Sequence, residues 1–91
     1  PNIAEAISTL KNEGIVVFGV EIDGKRLYNQ ADFCGATALV IGSEGKGLSS
    51  LVKKRCDEIV RIPMRGKINS LNASVAAGIV MYEVLRQRTK E

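Results

Sequence analysis

Ile62-Pro63-Met64-Arg65-Gly66-Lys67-Ile68-Asn69-Ser70-Leu71-Asn72-Ala73-Ser74 leaves an apolar segment at 58–62, crosses a polar loop containing glycine, and enters a helix of small residues. Ser70, Asn72 and Ser74 stand at the start of that helix. A loop feeding a helix N-terminus offers several backbone N–H groups that the helix cannot use itself. A second loop of the same kind, Gly42-Ser43-Glu44-Gly45-Lys46-Gly47, follows the apolar run at 38–41. Open α/β sheets bind ligands at the carboxyl ends of their strands. Two such loops after two buried strands therefore predict a ligand site.

Outward from these loops the pattern is regular. Asn2 can cap a first helix, with Glu5 three residues on in capping-box position. Ile3, Ile7 and Leu10 follow at helical spacing, and Gly14 suits the C-terminal cap. The β-branched, apolar run at 15–22 reads as a buried strand. Asp23-Gly24 is a turn signal, and 25–35 reads as an irregular loop with one helical turn at most. A short helix is expected at 48–55, with Leu48, Leu51 and Val52 inward and Lys53, Lys54 and Arg55 toward solvent. The long last helix is expected at 71–88. Strands separated by helical segments favour a parallel sheet, and apolar strands with little alternation imply cover on both faces.

The last helix carries two apolar stripes. Leu71, Val75, Ile79, Tyr82 and Leu85 form one; Ala73, Ala77, Val80 and Val84 form another, nearly opposite at 3.6 residues per turn. A surface helix needs one. Two predict burial on two sides, the sheet on one and another subunit or a missing segment of chain on the other. A homodimer through this helix is the expected assembly.

The chain has 91 residues, enough for one small domain. No apolar run approaches the roughly 20 residues of a membrane span, and no signal peptide is visible. Cys34 and Cys56 are too few for a disulfide framework and read as buried or semi-buried free thiols in a reducing cytoplasm. There is no histidine, so a zinc site and a Ser-His triad are not expected, and no metal is expected at all. The net charge of +3 does not by itself prove nucleic-acid binding. Placement says more: Lys46, Lys53, Lys54, Arg55, Arg65 and Lys67 lie in or just after the two loops. Arg86, Arg88 and Lys90 are read instead as cations complementing a helix C-terminus.

Common nucleotide motifs do not fit. A P-loop needs Lys and Ser or Thr directly after its second glycine, whereas Leu48 follows Gly47 and Lys46 precedes it. A dinucleotide fingerprint from Gly45-x-Gly47-x-x-Ser50 lacks the acidic residue about 20 positions on.

Ile41-Gly42-Ser43-Glu44-Gly45-Lys46-Gly47-Leu48, followed by Ile62-Pro63-Met64-x-Gly66-x-x-x-Ser70-Leu71-Asn72-x-Ser74, resembles the second and third signature motifs of the SpoU (TrmH-like) branch of the SPOUT RNA methyltransferases. The resemblance covers roughly residues 36–88. It implies an α/β fold, a parallel-sheet SPOUT domain with a C-terminal trefoil knot threaded by the third-motif loop. It implies S-adenosyl-L-methionine as cofactor, bound through Gly42, Ile62 and Leu71, with Met64 as a wall and Gly47 permitting close approach. Glu44, Ser70 and Asn72 are the expected catalytic residues. Glu44 would orient an active-site arginine or line the pocket, and Ser70 and Asn72 would hold the loops or the target ribose. For Ser70 and Asn72, plain helix capping is the alternative. Lys46, Arg65 and Lys67 are expected to meet rRNA or tRNA phosphate. The implied reaction moves a methyl group from the cofactor to a ribose 2′-hydroxyl.

One departure matters. The branch's first motif, Asn-x-x-x-x-Arg, holds the arginine usually assigned to catalysis, and no asparagine here is followed five positions later by arginine. With Pro1 in place of methionine, residues 1–91 are expected to be the C-terminal part of the catalytic domain, inactive alone. The alternatives are a non-catalytic RNA- or cofactor-binding module of the same fold, and a small nucleotide-binding α/β domain.

Overall fold

A computed structural model describes residues 2–43, 45–65 and 72–89. Helix α1 spans Ile3–Asn12. Strand β1 is Val16–Val20, β2 is Arg26–Leu27, and a single 3-10 turn at Tyr28–Gln30 follows it. Strand β3 is Thr37–Ile41, helix α2 is Ser50–Arg55, strand β4 is Glu58–Arg61 and helix α3 is Ala73–Arg88. The sheet is parallel, in the order β2-β4-β1-β3.

The strands alternate even though their sequences do not. Successive strand residues point to opposite faces, and here both faces are covered. Phe18, Val20, Leu39 and Val60 face α3, where they pack with Phe33, Ala76 and Val80. Val17, Ala38, Val40 and Ile59 face the other way, toward Ile7 and Leu10 of α1 and Val52 of α2. Two-sided cover is why the runs are apolar throughout. The rings of Phe18 and Phe33 meet edge to face with centroids 4.7 Å apart, an arrangement worth about 0.5–1.5 kcal/mol beyond burial.

Helix caps follow the expected chemistry. Asn2 Oδ1 accepts the Glu5 N–H at 3.2 Å, and Gly14 donates its N–H to Lys11 O with φ +82°. Ser49 Oγ accepts from Val52 N–H, so α2 begins at Ser50, two residues later than the periodicity suggests. Leu51 is half exposed rather than inward. Lys53 and Arg55 are only partly exposed. Lys53 Nζ lies 3.1 Å from Asp23 Oδ2, and Arg55 Nη1 reaches back to α1 at Ser8 Oγ, 3.0 Å.

The 25–35 segment holds more order than expected. Arg26 and Leu27 pair with Val60 and Arg61, adding a fourth strand. Two residues have no period to read. The next residues are clamped to α3 by Gln87, whose side chain accepts Phe33 N–H at 2.7 Å and donates to Ala31 O at 2.8 Å. Arg88 donates to Phe33 O and Gly35 O, and Arg86 grips Glu83 with two bonds of 2.8 Å. These two arginines thus do specific work beyond complementing a dipole. The Arg86 bond, helped by Gln87, holds the buried Glu83 carboxyl below its usual range.

Of the two stripes on α3, the one with Val80 and Val84 packs on the sheet. On the other, Val75, Tyr82 and Leu85 are exposed, Tyr82 by 74%. Cys56 is buried and its thiol is pushed up by that burial, whereas Cys34 is exposed, contrary to expectation. Among the described residues no helix is long and apolar enough to cross a membrane.

Candidate functional site

Strands β4, β1 and β3 are neighbours and all point their carboxyl ends the same way. A cavity of about 380 Å³ opens there. Val20, Glu21 and Ile22 line it from the end of β1; Ile41, Gly42, Ser43, Gly45, Lys46 and Gly47 from the end of β3; Ile62 and Met64 from the end of β4; and Ala73 and Ala76 from the first turn of α3. The walls are mostly aliphatic, with polar groups from one loop and one carboxylate. Apolar walls with a few convergent polar groups suit a small organic ligand.

The loop after β3 is tightly folded. Gly47 donates its N–H to Ser43 O at 3.0 Å, and the two residues form an antiparallel bridge. Gly47 sits at φ +68°, where side chains are strained. Gly42 has another reason to be glycine: a Cβ there would lie 2.4 Å from the carbonyl carbon of Gly47, inside the backbone it packs on.

Glu21 locks this loop to β1. Its Oε2 accepts the Leu48 N–H at 2.5 Å, and its carboxylate lies so close to Gly47 that a Cβ there would meet it. Lys53 Nζ stands 3.8 Å from Glu21 Oε1 and 3.1 Å from Asp23 Oδ2. The Asp23 bond, with Glu21 nearby, holds the Lys53 ammonium above its usual range. The Glu21 side chain is only 12% exposed. Its backbone is occupied too, donating to Val60 O and accepting from Gly24 N–H.

The structure brings together Gly42, Gly47, Ile62 and Met64, the expected cofactor residues that it describes, and adds Lys46 to the same rim. Arg65 follows Met64 and is exposed. Asn72 begins α3 and its Oδ1 accepts Ser74 N–H at 2.8 Å, the geometry of a helix cap. Glu44, Ser70, Leu71 and Lys67 lie outside the described residues, as does most of the 65–71 loop on which threading is expected. Sequence reading missed Glu21, which it absorbed into a strand at 15–22. The available signal was a carboxylate inside an apolar run, which needs a partner if it is buried.

A parallel sheet that gathers the 42–47 glycine loop, Ile62, Met64 and the first turn of α3 around one cavity defines the class: an α/β domain of the SPOUT type. The profile of the SpoU rRNA Methylase family matches residues 1–82, and the chain belongs to that family. It is 46% identical over 87 residues to the 23S rRNA (guanosine-2′-O-)-methyltransferase RlmB of Coxiella burnetii, covering 96% of this chain and 35% of that protein. The SpoU methyltransferase AviRb from Streptomyces viridochromogenes, crystallised in complex with the cofactor AdoMet, superposes with a TM-score of 0.87 at 36% identity, over 97% of this chain and 35% of that one. The A. aeolicus TrmH/SpoU tRNA modifying enzyme superposes equally well, at 34% identity, over 96% of this chain and 45% of the other. The chain spans about a third of the length of the curated relatives it matches.

Proposed function

We propose that the cavity between Gly42, Gly47, Ile62 and Met64 binds S-adenosyl-L-methionine and that the chain serves in methylation of a ribose 2′-hydroxyl of rRNA or tRNA. The observation that carries this reading is that the 42–47 loop, Ile62 and Met64 after β4, and the first turn of α3 line one cavity at the carboxyl ends of adjacent strands. The names of the relatives and the AdoMet complex of AviRb support it. The residues present suit the group. Aliphatic side chains of Ile41, Ile62 and Met64 can sandwich an adenine ring, while backbone groups of a glycine-rich loop can meet its edges. When bound, the cofactor supplies an electrophilic methyl on a sulfonium.

The chain's own residues bind and orient. Lys46, Arg65 and Lys67 supply positive charge for RNA phosphates, which fix register without reading sequence. Asn72 caps α3, and Glu44 and Ser70 are proposed to serve catalysis. Residues 1–91 act as the C-terminal part of a larger SPOUT catalytic domain in the cytoplasm. That larger domain contributes the first-motif arginine and carries the C-terminal trefoil knot.

Calorimetric titration of the intact polypeptide checks this. S-Adenosylmethionine and S-adenosylhomocysteine should bind with micromolar Kd while NAD does not; NAD binding in their place would favour a nucleotide-binding domain. Cofactor binding with no methylation of any RNA would favour a non-catalytic module. The 91-residue chain by itself should transfer no methyl group, and robust turnover by it would contradict the partial-domain reading.

The exposed stripe of α3 is proposed to join two copies of the chain. Tyr82 is 74% and Met81 60% exposed, and Val75 and Leu85 flank them. Buried aromatic anchors carry about 2 kcal/mol or more at interfaces. Tyr82→Glu should therefore raise the dimer dissociation constant about 30-fold in sedimentation equilibrium. A wild-type protein that sediments as a monomer at all concentrations would remove the dimer.

A further inference from the structure

We propose that Glu21 is the positioning residue of the cofactor loop, acting through Gly47 and Leu48 to set the cavity wall on which cofactor affinity depends. This rests on the function proposed above.

The argument is one of placement. Glu21 is the first residue after β1, one of the two inner strands, and its backbone is tied on both sides by Val60 O and Gly24 N–H. It therefore has little freedom of its own. Its carboxylate is almost wholly covered and accepts the Leu48 N–H at 2.5 Å. That bond joins residues 27 apart in the chain and closes the end of the 42–47 loop against the sheet. Gly47 packs directly on the same carboxylate, and Gly42 packs directly on Gly47. Carboxylate, Gly47 and Gly42 thus form a continuous stack, and all three line the cavity. Lys53 Nζ lies 3.8 Å from the other carboxylate oxygen, Oε1, and pairs with it.

A purely structural carboxylate would stabilise the fold without touching cofactor affinity in the folded fraction. A positioning carboxylate changes that affinity. Hydrogen bonds from a backbone N–H to a charged acceptor are among the stronger ones. Truncating one at a loop that carries ligand contacts is expected to weaken binding about 30-fold.

Three measurements on the intact polypeptide test the assignment. Glu21→Ala should raise the Kd for S-adenosylhomocysteine, and the KM for S-adenosylmethionine, about 30-fold, with kcat at saturating cofactor within about threefold of wild type. Glu21→Gln keeps an acceptor for Leu48 N–H and should recover most of the affinity. Amide exchange at Leu48 should speed up in the alanine variant and not in the glutamine variant, with or without ligand. If wild type binds S-adenosylhomocysteine and Glu21→Ala binds it equally well, the assignment is overturned and the function stands. Unchanged Leu48 exchange in the alanine variant overturns it as well. If wild type binds no S-adenosylhomocysteine, the function falls, and the role of Glu21 toward that cofactor falls with it.

Discussion

Gly42→Ala is expected to weaken S-adenosylhomocysteine binding about 10- to 100-fold. A Cβ at this position would lie 2.4 Å from the carbonyl carbon of Gly47 and 2.6 Å from its Cα. Real side chains never approach backbone so closely, so one strand of the loop must move. Overpacking of this kind costs about 1–3 kcal/mol. The displacement falls on residues that line the cavity from both sides of the loop. Gly45→Ala is the informative contrast. Gly45 has φ +80° but open space where a Cβ would stand, so alanine there meets only the left-handed backbone cost of about 1–2 kcal/mol. Its loss should appear mainly in thermal stability. If the two alanines reduced affinity equally, close approach would not be the reason for glycine at 42.

Phe18→Ala is expected to destabilise the chain by about 3–5 kcal/mol, the usual cost of emptying a phenylalanine site. Phe18 is the middle residue of β1, an inner strand, and is 1% exposed. Its ring meets Phe33, and both belong to the core that joins sheet and α3. Total stabilities are about 5–15 kcal/mol, so this one change removes a large fraction. Leu51→Ala, at a half-exposed position, should shift the denaturation midpoint little, within about 0.5 kcal/mol. A small loss at Phe18 would mean that the cavity collapses easily and that α3 is held mainly by its polar clamp to the 31–37 segment.

Much of the site was legible before any coordinates. Gly42, Gly47, Ile62 and Met64 were expected to bind the cofactor, and all four line one cavity. Their loops follow strands, and strand ends in a parallel sheet share one rim, so a local pattern was enough. Asn72 was assigned to catalysis with capping as the alternative, and its bond to Ser74 N–H is a cap. Glu21 escaped because its partner, Leu48 N–H, is far away in sequence and no spacing rule connects them. Strand β2 escaped because its two residues are ordered only by pairing with β4.

The amino-acid order alone determined the succession of helices and strands apart from β2, the helix caps and the two glycine loops. These depend on side-chain period, backbone sterics and short hydrogen bonds, all set within a few residues. Tertiary structure decided which stripe of α3 meets the sheet, how the 26–37 segment is held, and that a carboxylate from one strand anchors the loop after another. Such contacts join residues distant in sequence, and they exist only once the sheet has brought the strand ends together.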